Sequence, residues 1–288
     1  MAGWHIGVIG GTGLYEPGAL EQAQQIPIKS PFGEPSGPVT TGMIAGVQFT
    51  FLARHGAGHR IPPGAIDYRA NIDALKRCGV TDLVSISAIG SLREEFAPGD
   101  FVVVDQLIDR TQGRERSFFG EGLVAHVGLA DPACERLSAL VADAADQSGA
   151  TVHRGGCYVA IEGPQFSTRA ESRMYRAWGA DVIGMTAMPE ARLAREAELP
   201  YALLAMVTDY DCWRETGEAV DVAAILAVMH ENVGRARATL AALAKALPKE
   251  RAPSPIDTAL DGAIVTAPEH RDPVLGAKLD AVAGRVLR

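Results

Sequence analysis

The sequence predicts an α/β fold: a single layered domain with a central mixed β-sheet flanked by helices. Three observations point there. Short apolar runs rich in branched residues alternate with helix-like stretches, the pattern of a layered α/β domain. Runs such as Val102-Val103-Val104 are apolar without alternation, as strands buried on both faces require. The chain has 288 residues, 47% of them hydrophobic, enough for one large domain whose core needs no staple.

Taken in order, the strand candidates are His5–Ile9, Val47–Ala53, Leu83–Ala88, Phe101–Val104, Tyr158–Ile161, Val182–Met185 and Tyr201–Thr208. The helix candidates between them are Tyr68–Cys78, Pro132–Ser148, Thr168–Trp178, Pro189–Glu198 and Val220–Lys245. Gly79 and Gly149 stop the first two, because glycine accepts the left-handed backbone of a helix C-terminus. Thr168 followed by Glu171 resembles a capping box, which starts the third. Leu247-Pro248-Lys249-Glu250 closes the last long helix, so the domain is read as residues 1–248. Residues 249–288 are a tail packed on the domain or on a neighbouring subunit, with Leu275–Leu287 as an amphipathic helix.

Composition narrows the function. Acidic groups outnumber basic ones by 35 to 27, a net charge of −8, which argues against a nucleic-acid partner. The longest clear apolar run, Tyr201–Val207, has seven residues, far short of the ~18 of a membrane span. The amino terminus lacks a charged stretch followed by an apolar one, so no signal peptide is expected. Cys78, Cys134, Cys157 and Cys212 show no C-x-x-C spacing and are read as reduced thiols of a cytoplasmic protein.

In α/β sheets ligands bind beyond the carboxyl ends of the strands, so the chemistry is sought there. After the first strand comes Gly10-Gly11-Thr12-Gly13, a turn whose backbone N–H groups and hydroxyl can nest an anion. It is not a full dinucleotide fingerprint, since Glu16 stands where the third glycine belongs; the alternative is a tight turn without a ligand. The second strand ends in Ala53-Arg54-His55-Gly56. Arg54 there either grips a phosphate or carboxylate with its two-pronged fork or forms a surface salt bridge. His55 either adds a donor or makes a core hydrogen bond. His55 and His59 at i, i+4 suggest metal only on a helix, and Gly56 and Gly58 argue against one.

Ser87 offers a hydroxyl ahead of the Gly90 turn. In Ile161-Glu162-Gly163-Pro164-Gln165-Phe166-Ser167, Phe166 is a base-stacking or core residue, and Glu162 a sugar-hydroxyl acceptor or a structural partner. Met185 beside Thr186 suits one face of a sugar, or the core. The most chemically loaded segment is Thr208-Asp209-Tyr210-Asp211-Cys212-Trp213. Two carboxylates at i, i+2 in a half-buried site repel, so one is raised in pKa and donates while the other accepts. Such a pair can read a ring nitrogen and an exocyclic amine, hold a divalent metal, or cap a helix.

Taken in order, these motifs resemble the trimeric purine nucleoside phosphorylase family, and within it the 5′-methylthioadenosine phosphorylase branch. The carriers are Ile9-Gly10-Gly11-Thr12-Gly13, Leu52-Ala53-Arg54-His55-Gly56, Gly90-Ser91-Leu92-Arg93-Glu94-Glu95 and Gln106-Leu107-Ile108-Asp109-Arg110-Thr111. They continue with Ile161 to Ser167, Arg169-Ala170-Glu171-Ser172, Trp178 to Ile183 and Thr208 to Trp213. The similarity spans about residues 5 to 245.

The resemblance implies phosphate ligands Thr12, Arg54, His55, Ser87 and Thr186. It implies ribose contacts Ala88 and Met185, and Phe166 along the base. Asp209 and Asp211 match the pair facing adenine, with Asp209 as general acid; the 6-oxopurine branch carries Asn at the base-reading position. Ser167 and Val222 match smaller or more apolar positions of the methylthio branch, where Val222, Ile225 and Leu226 form an apolar slot. His126 matches a residue supplied to that slot by a neighbouring subunit, which implies a homotrimer. Where the branch has Thr-Thr-Ala, this chain has Ile86-Ser87-Ala88.

The implied activity is phosphorolysis of methylthioadenosine to adenine and 5-methylthioribose 1-phosphate, a step of purine and methionine salvage. Phosphate is a co-substrate, and neither metal nor organic cofactor is implied. The alternatives are a 6-oxopurine or broad-specificity nucleoside phosphorylase, including one for methylthioinosine, and, from another class, a non-catalytic nucleotide-binding module. A dinucleotide-dependent oxidoreductase is disfavoured by the missing third glycine.

Overall fold

The computed structural model describes residues 3–11, 13–14, 20–214 and 222–287, with only the backbone of 222–224. The strands are β1 (His5–Gly10), β2 (Glu21–Ile26), β3 (Val39–Ile44), β4 (Val47–Ala53), β5 (Asp82–Ser91) and β6 (Phe101–Val104). They continue with β7 (Gln106–Arg110), β8 (Val152–Arg154), β9 (Cys157–Ile161), β10 (Val182–Gly184) and β11 (Tyr201–Asp209). The helices are α1 (Tyr68–Arg77), α2 (Glu135–Asp146), α3 (Arg169–Ala177), α4 (Ala187–Glu196), α5 (Val222–Ala246), α6 (Pro273–Lys278) and α7 (Gly284–Leu287).

The strands form one mixed sheet of 11 strands that forks at β5. One path runs β2-β3-β4-β1-β5-β10-β9-β7, and the other leaves β5 through β11 to β6 and β8. β1, β4, β5 and β11 are parallel neighbours, whereas β10 joins the far end of β5 antiparallel, at Gly90 and Ser91. β11 carries an irregularity between Val207 and Asp209 while still pairing with Gly90. A bulge re-aims the side chains that follow it. The fork therefore spreads the carboxyl ends of β5, β10 and β11 around a common space.

The unbroken apolar runs have a direct cause, since each central strand feeds two cores. In β11, Tyr201, Leu203, Ala205 and Val207 join the core under α1 and α4, and Ala202, Leu204 and Met206 join the one under α2 and α5. With both faces dry, no position on the strand selects a polar residue. The helix boundaries follow local chemistry. Asp67 caps α1 by accepting from the Ala70 N–H, and Thr168 and Glu171 form the capping box of α3. Gly79 and Gly149, beyond α1 and α2, both have positive φ.

Four strands lie outside the sequence expectation. β2 reads Glu-Gln-Ala-Gln-Gln-Ile and is exposed along its length; it is held by backbone pairing with β3 and so leaves no apolar signature. β3, β7 and β8 are the others. The single helix predicted over Leu275–Leu287 is instead two short ones, α6 and α7. Past Lys249 the chain returns to the α1–α4 face, where Leu260, Leu279, Val282 and Ala283 are buried in that core. Arg251 pairs with the fully buried Asp82, and Arg285 with Glu198.

Candidate active site

A cavity of about 270 Å³ opens where the sheet forks. β5 contributes Ser87 to Gly90, β10 contributes Ile183 and Gly184, and β11 contributes Met206, Thr208 and Asp209. Arg54, His55 and His59 enter from beyond β4, Phe166 and Ser167 from the loop after β9, and Met185 and Thr186 from the turn into α4. Ile225, Met229 and Val233 face it from α5.

Of the predicted residues, Arg54, His55, Ser87, Ala88, Phe166, Ser167, Met185, Thr186, Asp209, Asp211 and Ile225 all line this one cavity. Thr12 and the Val222 side chain lie outside the described residues. Leu226 is 53% exposed and is not among the lining residues; the α5 positions that line the wall, Ile225, Met229 and Val233, follow helical spacing. His126 is an exposed residue away from the cavity of its own chain, held by a backbone bond to Ala263.

The anion end of the cavity is built around a buried arginine. Arg54 is 1% exposed. Its Nε donates to Glu190 Oε2 at 2.8 Å and its Nη2 to Glu190 Oε1 at 3.1 Å. Nη2 also reaches Ser85 Oγ at 2.7 Å and the Ile9 carbonyl, and Nη1 reaches the Ile86 carbonyl at 3.0 Å. Four of its five N–H groups are thus occupied by the protein, leaving a fixed charge and one Nη1 donor for a ligand. Ser85 Oγ and Tyr201 Oη donate to Glu190 as well. The salt bridge left open by the sequence is real, but it lies beneath the cavity rather than on the surface. Beside it, the Ser87 and Thr186 hydroxyls stand 3.3 Å apart.

Sequence reading missed Glu190. A signal was available: it is a carboxylate in the otherwise apolar stretch Ala187-Met188-Pro189-Glu190-Ala191, and an arginine at the end of a buried strand needs a counter-charge. Arg114 was missed as well. Its guanidinium bonds the Glu162 carboxylate and carbonyl, the Met185 and Met188 carbonyls and Tyr68 Oη. It thereby ties the loop after β9 to the turn before α4. Of the two roles the sequence leaves open for Glu162, the structure shows the structural one: its Oε2 accepts from Arg114 and the Gln112 N–H, and the residue does not line the cavity.

At the opposite end lie the two aspartates. Asp209 Oδ2 accepts from Thr208 Oγ1 at 2.8 Å, and its Oδ1 accepts from the Asp211 N–H at 2.7 Å. Asp211 sits at φ 50°, a left-handed conformation that aspartate tolerates better than most residues. Its Oδ2 is buried without a hydrogen-bond partner, as is Ser167 Oγ. Burial pushes both carboxyls above the usual range, with the Thr208 and Asp211 bonds pulling Asp209 back. For Asp211 the repulsion from Asp209 is a lesser cause than burial, so dryness rather than pairing dominates.

Glycine permits the approach. A Cβ on Gly90 would stand 3.1 Å from Asp209 Oδ1, and one on Gly184 would overlap Tyr158 Oη. Among the described residues no group of three or more His, Cys, Asp or Glu could hold a metal ion, and no helix is long and apolar enough to cross a membrane.

Comparison with known proteins agrees with this geometry. The sequence profile of the phosphorylase superfamily matches residues 5–247. The S-methyl-5′-thioadenosine phosphorylase of Cereibacter sphaeroides is 59% identical over 285 residues, covering 98% of each chain. That of Bradyrhizobium diazoefficiens is 58% identical with the same coverage. Among solved structures, a methylthioadenosine phosphorylase from an Antarctic soil metagenomic library superposes with a TM-score of 0.92 at 44% identity, covering 98% of this chain and 99% of that one. The methylthioadenosine phosphorylase of Schistosoma mansoni, solved with adenine, superposes at 0.80 with 35% identity over 98% of both chains. A profile match over most of the chain and relatives of this identity and coverage establish that the chain belongs to the phosphorylase superfamily.

Proposed function

We propose that this protein cleaves 5′-methylthioadenosine by phosphorolysis, releasing adenine and 5-methylthioribose 1-phosphate. The observation that carries the reading is a single cavity with hydroxyl and cationic donors at one end and two raised carboxyls at the other. The names of the relatives support it.

The C1′–N9 bond loosens first, its electron pair passing to the purine while positive charge develops on the sugar. Phosphate beside Arg54, His55, Ser87 and Thr186 stabilises that charge, and one of its oxygens then bonds C1′. The protein's share is placement and a preset field in a water-poor site. Asp209, raised by burial, donates a proton to N7 of the departing adenine as general acid. Asp211 accepts from the 6-amino group through its unpartnered oxygen. Ala88 and Met185 flank the ribose, Phe166 and Ser167 the base, and Ile225 the methylthio group.

In this reading no organic cofactor or metal takes part. The active form is a homotrimer in which a neighbour supplies His126, and residues 249–288 are a tail of the single domain. Half-exposed Phe166 and Trp178 favour the oligomer; four unpaired thiols favour the cytoplasm.

The test is adenine release from methylthioadenosine, followed by chromatography with and without phosphate, with adenosine and methylthioinosine alongside. Phosphate-dependent release favouring methylthioadenosine is the expected result. Release without phosphate overturns the mechanism, and preferential turnover of methylthioinosine overturns the reading of the aspartates.

A further inference from the structure

The ring of His55 has a defined proton arrangement. Its Nδ1 lies 2.8 Å from the carbonyl oxygen of Ile61. A carbonyl can only accept, so Nδ1 carries hydrogen. Nε2 makes no bond to any described residue, while the ring lines the cavity beside Ser87, Thr186 and Arg54. The charged and titratable neighbours are Arg54 and His59, whose ring stacks on His55 at 4.0 Å between centroids. Burial first, and then the Arg54 guanidinium, push the His55 imidazole down to about 4. At neutral pH the ring is therefore uncharged and Nε2 presents a lone pair.

This changes what the anion end asks of its ligand. The Ser87 and Thr186 hydroxyls rotate and serve any oxyanion as donors. An Nε2 lone pair serves only an oxygen that still carries a proton, and repels a bare one. We propose that His55 is a hydrogen-bond acceptor that makes this site selective for protonated tetrahedral oxyanions, phosphate and arsenate, over sulfate, which carries no proton at neutral pH. The proposal rests on the reading of the cavity as phosphorolytic and adds which ionic form of the anion it takes: one P–OH or As–OH points at Nε2. Charge and size alone do not yield this discrimination, since sulfate and the phosphate dianion share both.

The experiment uses the full-length protein at neutral pH and constant ionic strength. Adenine release is measured against phosphate, against arsenate in its place, and against phosphate with sulfate as competitor. The expected KM values for phosphate and arsenate are similar, and the inhibition constant of sulfate is weaker than either by about one to two orders of magnitude. Sulfate competing as tightly as arsenate is used overturns this inference while the phosphorolytic reading stands. Absence of phosphate-dependent turnover overturns both. In His55→Gln the amide can donate where Nε2 accepts, so the sulfate-to-phosphate ratio should fall at least about tenfold; an unchanged ratio in an active variant also overturns the assignment. The wild-type ratio decides the matter should that variant not fold.

Discussion

Replacing Glu190 with glutamine tests the architecture beneath the anion site. Glu190 is 0% exposed and accepts from Arg54 Nε and Nη2, Ser85 Oγ at 2.6 Å and Tyr201 Oη at 3.0 Å. Glutamine keeps the shape but turns one oxygen into a donor that faces another donor, and it leaves Arg54 charged and buried without its counter-charge. Breaking a buried pair from one side costs about 3–5 kcal/mol, a large share of the roughly 5–15 kcal/mol that a folded domain has. Urea unfolding at fixed protein concentration reads this as a fall in midpoint at unchanged slope. The double variant Arg54→Met/Glu190→Gln removes both charges while the amide oxygen still accepts from Ser85 and Tyr201, so it should be more stable than Glu190→Gln alone, yet lack phosphate-dependent turnover. A loss below about 1 kcal/mol in Glu190→Gln would refute the claim that Glu190 is the counter-charge holding Arg54. A double variant no more stable than the single one would refute it as well.

Three further outcomes are expected. Asp209→Asn should lower turnover of adenine nucleosides by about 10²–10⁴-fold, the usual weight of a general acid, and gain some 6-oxopurine activity; unchanged methylthioadenosine kinetics would remove Asp209 from the mechanism. For His55, the ordinary value of 6.5 falls to about 4 on folding, so the unfolded chain takes up the proton first. Its share of stability is full above pH 6.5 and is lost as the pH falls towards 4. His55→Gln should therefore lose less stability over that range than wild type, by up to about 3 kcal/mol, measured by denaturant unfolding at stepped pH without phosphate. Gly184→Ala places a Cβ in overlap with Tyr158 Oη; the buried Tyr158 ring or the strand must shift, costing about 1–3 kcal/mol in thermal unfolding and raising the KM for nucleoside.

Much of this protein is readable from its sequence by itself. The central strands are legible because burial on both faces demands continuous branched apolar residues, as in Tyr201–Val207, whereas a strand or helix with one wet face breaks such a run with polar residues. The helix starts and stops are legible because caps are local: Thr168 with Glu171, and Gly79 past α1. The candidate chemistry is legible as well, since polar residues directly after buried strands stand out against them. Tertiary structure decided the rest. β2 exists through pairing with β3, and a backbone ladder leaves no mark on the side chains that it exposes. Glu190, on α4, meets Arg54 across 136 positions of chain, and Arg114 ties two loops that spacing alone never relates. The face of α5 that turns to the cavity, with Met229 and Val233 beside Ile225 and Leu226 left outward, depends on how the helix packs. The acceptor role of His55 comes from one carbonyl, that of Ile61. Local sequence determines which groups are available, whereas hydrogen-bond partners and burial, both set by the packing of distant segments, determine what those groups can donate or accept.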